Sequence, residues 1–484
     1  MGELKLKRTL GLLGATMIGI GGAMGAGLFV LIGNAAGMAG SGVVLSFIMS
    51  AFFALFTALN YSELAASIPI TGGGYTFVQY AIGKFPAFIT GWFVWFGYMF
   101  YCALCALGFA YAVQYFIPGV NTAIVAVLIV LTFMIINIRG TKETGAIQNF
   151  LTTALVIMLV TFVVSGFIHG FRPDAFESWT PKGIMPIFTT VSYIYVCYMG
   201  FEIITTISGE IRKPEKNIVR SMVLAFTIST MIYCLVTLVS VGVVHWDLLG
   251  ESSAPLSLVA LETMGSIGGI VMSAAALLAI LTSLNAATVA AARIAFALSR
   301  DGYLPSALSI VHKRFSTPYI ATVLSSILIV IFAASGIVDF LNYASIFGFL
   351  VGDALVNYSV IWLRKRRPNL KRPFKVPLYP YTPLLGTLSS LIVLSTVHHQ
   401  AIAIGLIWAI IGLLMYYVFM LGYVRLRIAF GGMTVVTGFV ISAATLLMWY
   451  RFIPPLVPLS TPLLLGILSI GILQILVGLL NITS

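Results

Sequence analysis

Long apolar stretches alternate along the chain with short polar connectors. The apolar stretches fall near 10–38, 42–66, 86–116, 122–138, 145–168, 183–208, 219–244, 266–291, 318–336, 341–363, 382–398, 401–421, 428–449 and 461–481. Most run to about twenty residues, the length a helix needs to cross a hydrocarbon layer ~30 Å thick. They lack the period-two alternation of a membrane barrel strand. The pattern therefore predicts an all-α integral membrane protein with 14 transmembrane helices.

Two of these stretches are interrupted. The first contains Gly19-Ile20-Gly21-Gly22-Ala23-Met24-Gly25-Ala26-Gly27, and the sixth contains Tyr198-Met199-Gly200-Phe201-Glu202. Unpaired backbone polar groups are costly in lipid, so irregular backbone there must line a protein-walled cavity or bind something polar. The interruptions lie five spans apart. An odd spacing makes the second unit enter the membrane from the opposite face. The expectation is a five-plus-five inverted repeat with broken helices 1 and 6, over residues 1–380. The last four spans, over 381–484, lie outside it.

Composition agrees: 60% of residues are hydrophobic and only 8% charged, against roughly 25% charged in soluble domains. The net charge of +12 follows from topology and not from nucleic acid. With fourteen spans, every Lys and Arg except Arg172, Lys182 and Arg451 lies on the side of the N-terminus. The positive-inside rule then puts both termini in the cytoplasm of a plasma-membrane protein, with the basic start leading into an uncleaved first span. The cluster Arg364–Arg367 with Lys371–Lys375 either sets orientation alone or also touches anionic lipid. Cys102, Cys105, Cys197 and Cys234 fall inside spans and read as packing residues.

Candidate chemistry concentrates at the interruptions. A half-helix starting near Gly25 points free N–H groups and a positive dipole end at the break, which suits a carboxylate; Gly25, Ala26 and Gly27 are the candidate contacts. Close helix packing is the other reading of the glycines. Glu202, on the second break, holds an ammonium group, carries a proton or closes a gate, or else pins unwound backbone. Asp353, in the tenth span, binds a coupling cation or proton, or pairs with Arg293. Glu63 sits at a helix end, where a bond to the neighbouring loop is expected. Thr282 and Ser283 offer hydroxyls to a sodium-like cage or bond helix to helix. No histidine lies mid-span, which argues against a membrane metalloenzyme, and no charged ring or repeated filter loop suggests a channel. No cofactor is expected beyond a coupling proton or sodium ion.

Several motifs now add up to a resemblance. Gly25-Ala26-Gly27-Leu28-Phe29, Tyr61-Ser62-Glu63-Leu64 with Gly72-Gly73-Gly74-Tyr75, Tyr198 to Glu202 followed by Gly209-Glu210 and Lys213-Pro214, Ser299-Arg300-Asp301-Gly302, and Arg372-Pro373-Phe374-Lys375 occur in order. Together they resemble the amino acid–polyamine–organocation permeases, and fourteen spans make the chain similar to the cationic amino acid branch. The resemblance implies an alternating-access carrier, ion-coupled or exchanging, that is not an enzyme. Its partners would be an amino acid substrate and membrane lipid, with no nucleic acid and no obligate protein. It implies carboxylate binding by Gly25, Ala26 and Gly27. Ammonium binding would come from backbone at Val196, Cys197, Tyr198 and Met199, gating from Glu202, and Ser283 would face the site. Two family features are missing. The mid-span-5 lysine position is Leu155, and the aromatic gate position is Val196, so Tyr195 or Phe201 is the candidate gate. The alternative substrate class is polyamines.

Overall fold

In the computed structural model the described residues are 10–69, 72–139, 144–208, 211–315, 317–421, 434–442, 444–445 and 467–476. Lys5, Lys7, Arg8, Lys142, Gly209-Glu210, Arg425, Arg427, Arg451 and about half of the last two expected spans lie outside them.

The described residues are helical, with only an isolated bridge between Leu10 and Ile211. In order the helices are α1 (Leu12–Ala23), α2 (Ala26–Ala39), α3 (Val43–Ser67), α4 (Gly73–Ala81), α5 (Lys84–Phe116), α6 (Thr122–Arg139), α7 (Thr144–His169), α8 (Met185–Ile194), α9 (Ile203–Thr206) and α10 (Pro214–Val243). There follow α11 (Trp246–Glu251), α12 (Pro255–Arg300), α13 (Tyr319–Ala333), α14 (Val338–Arg366), α15 (Tyr381–Ser395) and α16 (His399–Leu421). Nine helical stretches among the described residues are long and apolar enough to cross a membrane.

Local sequence sets the helix ends. Pro214 and Pro255 open α10 and α12, where a missing N–H costs nothing. Arg364, Lys365 and Arg366 close α14, where cations meet the negative end of the helix dipole. One expectation needs correction: the eighth stretch resumes at 266 after a break, but its helix runs past 291 to Arg300. Helix α12 has 46 residues, interrupted only at Gly265 (φ +66°). The chain folds back at Gly265, since Ser257 and Ser273 share a hydrogen bond (2.8 Å) across it. At 1.5 Å per residue the part from 266 to Arg300 reaches roughly 50 Å, still longer than a hydrocarbon core. The short helices α4 and α11 lie in connectors that hydropathy reads as loops.

Helix α5 is the buried centre, flanked by α12 and α14. It meets α14 backbone to backbone: a Cβ on Gly348 would stand 2.6 Å from the Gly97 nitrogen. Small residues permit such an approach, the usual device of helix packing in lipid. Helix α16 is fastened to α5 by Trp92 and Trp408, stacked at 4.4 Å, with each indole N–H donating to the other's carbonyl (2.7 and 3.0 Å).

Candidate functional site

The first interruption is two residues long. Helix α1 ends at Ala23, Met24 and Gly25 leave helical geometry, and α2 starts at Ala26. The last carbonyls of α1 and the first amides of α2 thus lose their helical partners. Some find replacements: Met24 N–H donates to Ile20 (2.8 Å), Gly25 N–H to Ala23 (3.0 Å), and Ser283 Oγ to the Gly21 carbonyl (2.9 Å). Packing around Gly25 is tight. A Cβ there would overlap Ser283 Oγ and lie 2.7 Å from Tyr101 Oη.

The second interruption is longer. Helix α8 ends at Ile194, Tyr195–Tyr198 form a 3-10 turn, Met199 is extended, and Gly200 takes φ +116° before α9. The Cys197 carbonyl accepts a hydrogen bond from Tyr233 Oη (2.9 Å). Glu202 folds back: Oε2 accepts from the Gly200 N–H (2.7 Å) and Oε1 from Tyr98 Oη (3.1 Å). Both oxygens are therefore occupied, and the carboxylate pins unwound backbone, one of the roles expected for it.

The two interruptions face each other. A Cβ on Gly200 would stand 2.5 Å from the Gly22 carbonyl and 2.7 Å from the Ala23 nitrogen. A Cβ on Gly27 would stand 2.9 Å from Cys197 Sγ. Gly27 thus lies against the Cys197 turn, Gly25 against Ser283 of α12 and Tyr101 of α5, and Ala26 near Gly108 of α5. Val196, Cys197, Tyr198 and Met199 are all buried. Tyr198 turns its hydroxyl away from the break, to the Phe47 carbonyl on α3 (2.8 Å). Thr282 donates to Ala279 of its own helix (2.9 Å). Tyr195 is fully buried, and Phe201 packs edge-on to Tyr61 and Phe226.

Asp353 lies beside this centre. Its Oδ1 accepts from Tyr61 Oη (3.0 Å), and its Oδ2 has no hydrogen-bond partner among the described residues. The expected alternative, a pair with Arg293, is corrected. Asp353 faces α3, whereas Arg293 lines a separate cavity of about 250 Å³ with Gly72, Tyr75, Thr76, Thr206 and Arg300. Thr206 ends α9, so the cavity adjoins the second interruption. At its wall Tyr75 Oη donates to Asp301 Oδ2 (2.6 Å), and burial, then this bond, push the Tyr75 hydroxyl well above its ordinary pKa.

Two networks mark the ends of the bundle. At one end Glu63, 0% exposed, takes a bidentate bond from Arg364 (2.8 and 2.6 Å), the Val376 N–H (2.7 Å) and Arg372 at 3.7 Å. Its partners lie some 300 residues away, not in the neighbouring loop as expected. Arg372 also caps the carbonyls of Leu363, Arg367, Pro368 and Leu370. Much of the basic cluster is thus engaged inside the protein. At the other end Tyr193 Oη donates to Asp339 (2.8 Å) and accepts from Asn34 (3.1 Å), joining α2, α8 and α14. Tyr98, Tyr101 and Tyr233 leave no mark on the hydropathy pattern, because a tyrosine inside an apolar run adds little polarity.

A helical membrane bundle whose two interrupted helices meet end to side defines a membrane carrier. The comparisons carry this further: the family model described as Amino acid permease matches residues 10–420, and the chain belongs to that family. It is 29% identical over 440 residues to the branched-chain amino acid permease BcaP of Bacillus subtilis (strain 168), covering 86% of this chain and 94% of that one. The methylthioribose transporter of the same organism gives the same identity and coverage. The serine/threonine exchanger SteT, also from Bacillus subtilis (strain 168), is 29% identical over 425 residues, covering 85% and 97%. The chain is therefore a multi-pass amino acid permease, a transporter and not an enzyme.

Proposed function

We propose that this permease binds one neutral α-amino acid between its two interruptions and carries it by alternating access. The carboxylate lies on the backbone amides at Gly25, Ala26 and Gly27, at the positive end of α2. The ammonium lies on carbonyls of Val196, Cys197, Tyr198 and Met199, with Ser283 closing the pocket and Glu202 joined to the gate. Thr282, Tyr195 and Phe201 remain gate or coupling candidates. The observation that supports this reading is the contact of Gly27 with Cys197, which sets the start of α2 against the turn of the second interruption. A neutral side chain is favoured because both Glu202 oxygens are already engaged by donors of the protein. Relatives named for branched-chain amino acids and for serine and threonine support the same class.

The frame around the site is proposed as fourteen spans: an inverted repeat over 1–380, then four added helices over 381–484. Both termini face the cytoplasm. The cavity beside Arg293 is then an inner vestibule, and the Tyr193–Asp339–Asn34 contact an outer gate. Leu155, buried in α7 at the position where the family resemblance implies a lysine, leaves coupling to a carboxylate, a sodium ion or pure exchange.

The test is uptake of labelled leucine and serine by proteoliposomes, challenged with free amino acids, their methyl esters and polyamines. Free neutral amino acids should compete at least tenfold better than their esters. Equal competition by esters or polyamines would refute carboxylate recognition.

A further inference from the structure

We infer that Glu202 and Asp353, with Tyr61 and Tyr98, form one site for a transported proton that the two carboxylates share. This rests on the carrier reading above and assigns its coupling ion.

Both acids are buried, at 8% and 4% exposure. They come from different elements: Glu202 from the second interruption, Asp353 from the unbroken helix α14. Each is held by a tyrosine from a third and a fourth helix, Tyr98 of α5 at 3.1 Å and Tyr61 of α3 at 3.0 Å. The two pairs interlock: the Tyr98 ring packs edge-on to Phe349, one turn before Asp353 (4.9 Å), and the Tyr61 ring packs edge-on to Phe201, beside Glu202 (6.2 Å). The other titratable group facing them is Tyr195. Among the described residues no cation forms an ion pair with either acid. Arg364 lies eleven residues beyond Asp353 on the same helix, roughly 16 Å away by helix rise, and is already held by Glu63.

Two negative charges this deep and this near are costly, and a single proton removes most of the cost. The place for it is open: Asp353 Oδ2 is buried and has no partner among the described residues. One free carboxylate oxygen suits a proton and not a hard metal cation, which seeks about six oxygens. Loading forms an O–H bond on a carboxylate oxygen at the expense of hydronium and leaves water. Release reverses this, and nothing is oxidised or reduced.

The arrangement also provides the coupling. Glu202 is bonded to Gly200, next to the carbonyls assigned to the ammonium group. Any shift of that turn alters the separation of the two acids, and so the hold on the proton. Substrate position and proton occupancy change together.

The experiment uses the full chain in proteoliposomes with an internal pH dye, measuring labelled amino acid flux and proton flux together. The wild type should move protons with substrate and accumulate substrate under an imposed pH gradient, without sodium. Asp353→Asn and Glu202→Gln should each reduce proton-driven accumulation at least tenfold. Tyr61→Phe keeps the ring and should shift the pH midpoint of uptake. Wild-type flux without protons, or flux driven by sodium, overturns the site. So does Asp353→Asn with wild-type proton stoichiometry. If the asparagine variant fails to fold, an unshifted midpoint in Tyr61→Phe overturns it instead. Wild-type protein with no amino acid flux under any gradient refutes the carrier reading, and this site with it; substrate exchange without proton flux refutes the proton site alone.

Discussion

Replacing Gly200 by alanine probes the meeting of the two interruptions. Two costs arise at once. The backbone there has φ +116°, where a Cβ is strained by about 1–3 kcal/mol. The new methyl would also lie 2.5 Å from the Gly22 carbonyl carbon and oxygen and 2.7 Å from the Ala23 nitrogen. These are backbone atoms and cannot rotate away, so overpacking adds about 1–3 kcal/mol. The sum is roughly 2–6 kcal/mol, a large share of the 5–15 kcal/mol typical of folded proteins. Gly119→Ala is the control. Gly119 also has positive φ (+85°), but its Cβ would meet nothing within 4 Å. Thermal unfolding of both variants in detergent, followed by size-exclusion chromatography, separates strain from collision. Gly200→Ala should unfold several degrees below Gly119→Ala and lose most substrate exchange. If the two unfold together, or Gly200→Ala exchanges substrate at the wild-type rate, the close approach of α1 and the second break is wrong.

Three further outcomes are expected. Gly25→Ala, whose methyl would collide with Ser283 and Tyr101, should cost about 1–3 kcal/mol and raise the apparent substrate KM at least tenfold in proteoliposome uptake. Glu63→Gln removes the negative charge facing Arg364 and Arg372 and one of its two acceptor oxygens, and should lower stability by about 3 kcal/mol, read as a fall in melting temperature, with Glu63→Asp recovering part of it. Tyr193→Phe removes bonds to Asp339 and Asn34 worth about 1–2 kcal/mol together. Hydrogen exchange in 26–39 should then speed up about 5–30-fold, and an unchanged rate would reject the outer-gate role.

The helix positions were largely legible because crossing a bilayer demands an apolar run, and that demand is local. The expected stretch 122–138 coincides with α6, and 145–168 with α7, within a residue. The breaks were legible from Gly25 and Gly200, since glycine tolerates both positive φ and close backbone contact. What hydropathy does not encode is direction around a helix axis. It could not tell whether Asp353 meets Arg293 or Tyr61, or whether Arg364 faces lipid or Glu63. Helix α12 was read too short because Arg293 and Arg300 stop an apolar window without stopping a helix. The tyrosines holding Glu202 and Asp353 stayed silent for a related reason: their rings pack as hydrophobes and only the hydroxyl acts.

The Glu63 knot has a consequence for biogenesis. Its carboxylate enters the bilayer early in synthesis, yet the groups that neutralise it, Arg364, Arg372 and the Val376 amide, emerge more than 300 residues later. Until then α3 carries an acid without these partners. A nascent chain that stops before Val376 is therefore marked as unfinished, and membrane quality control has a chemical feature to recognise.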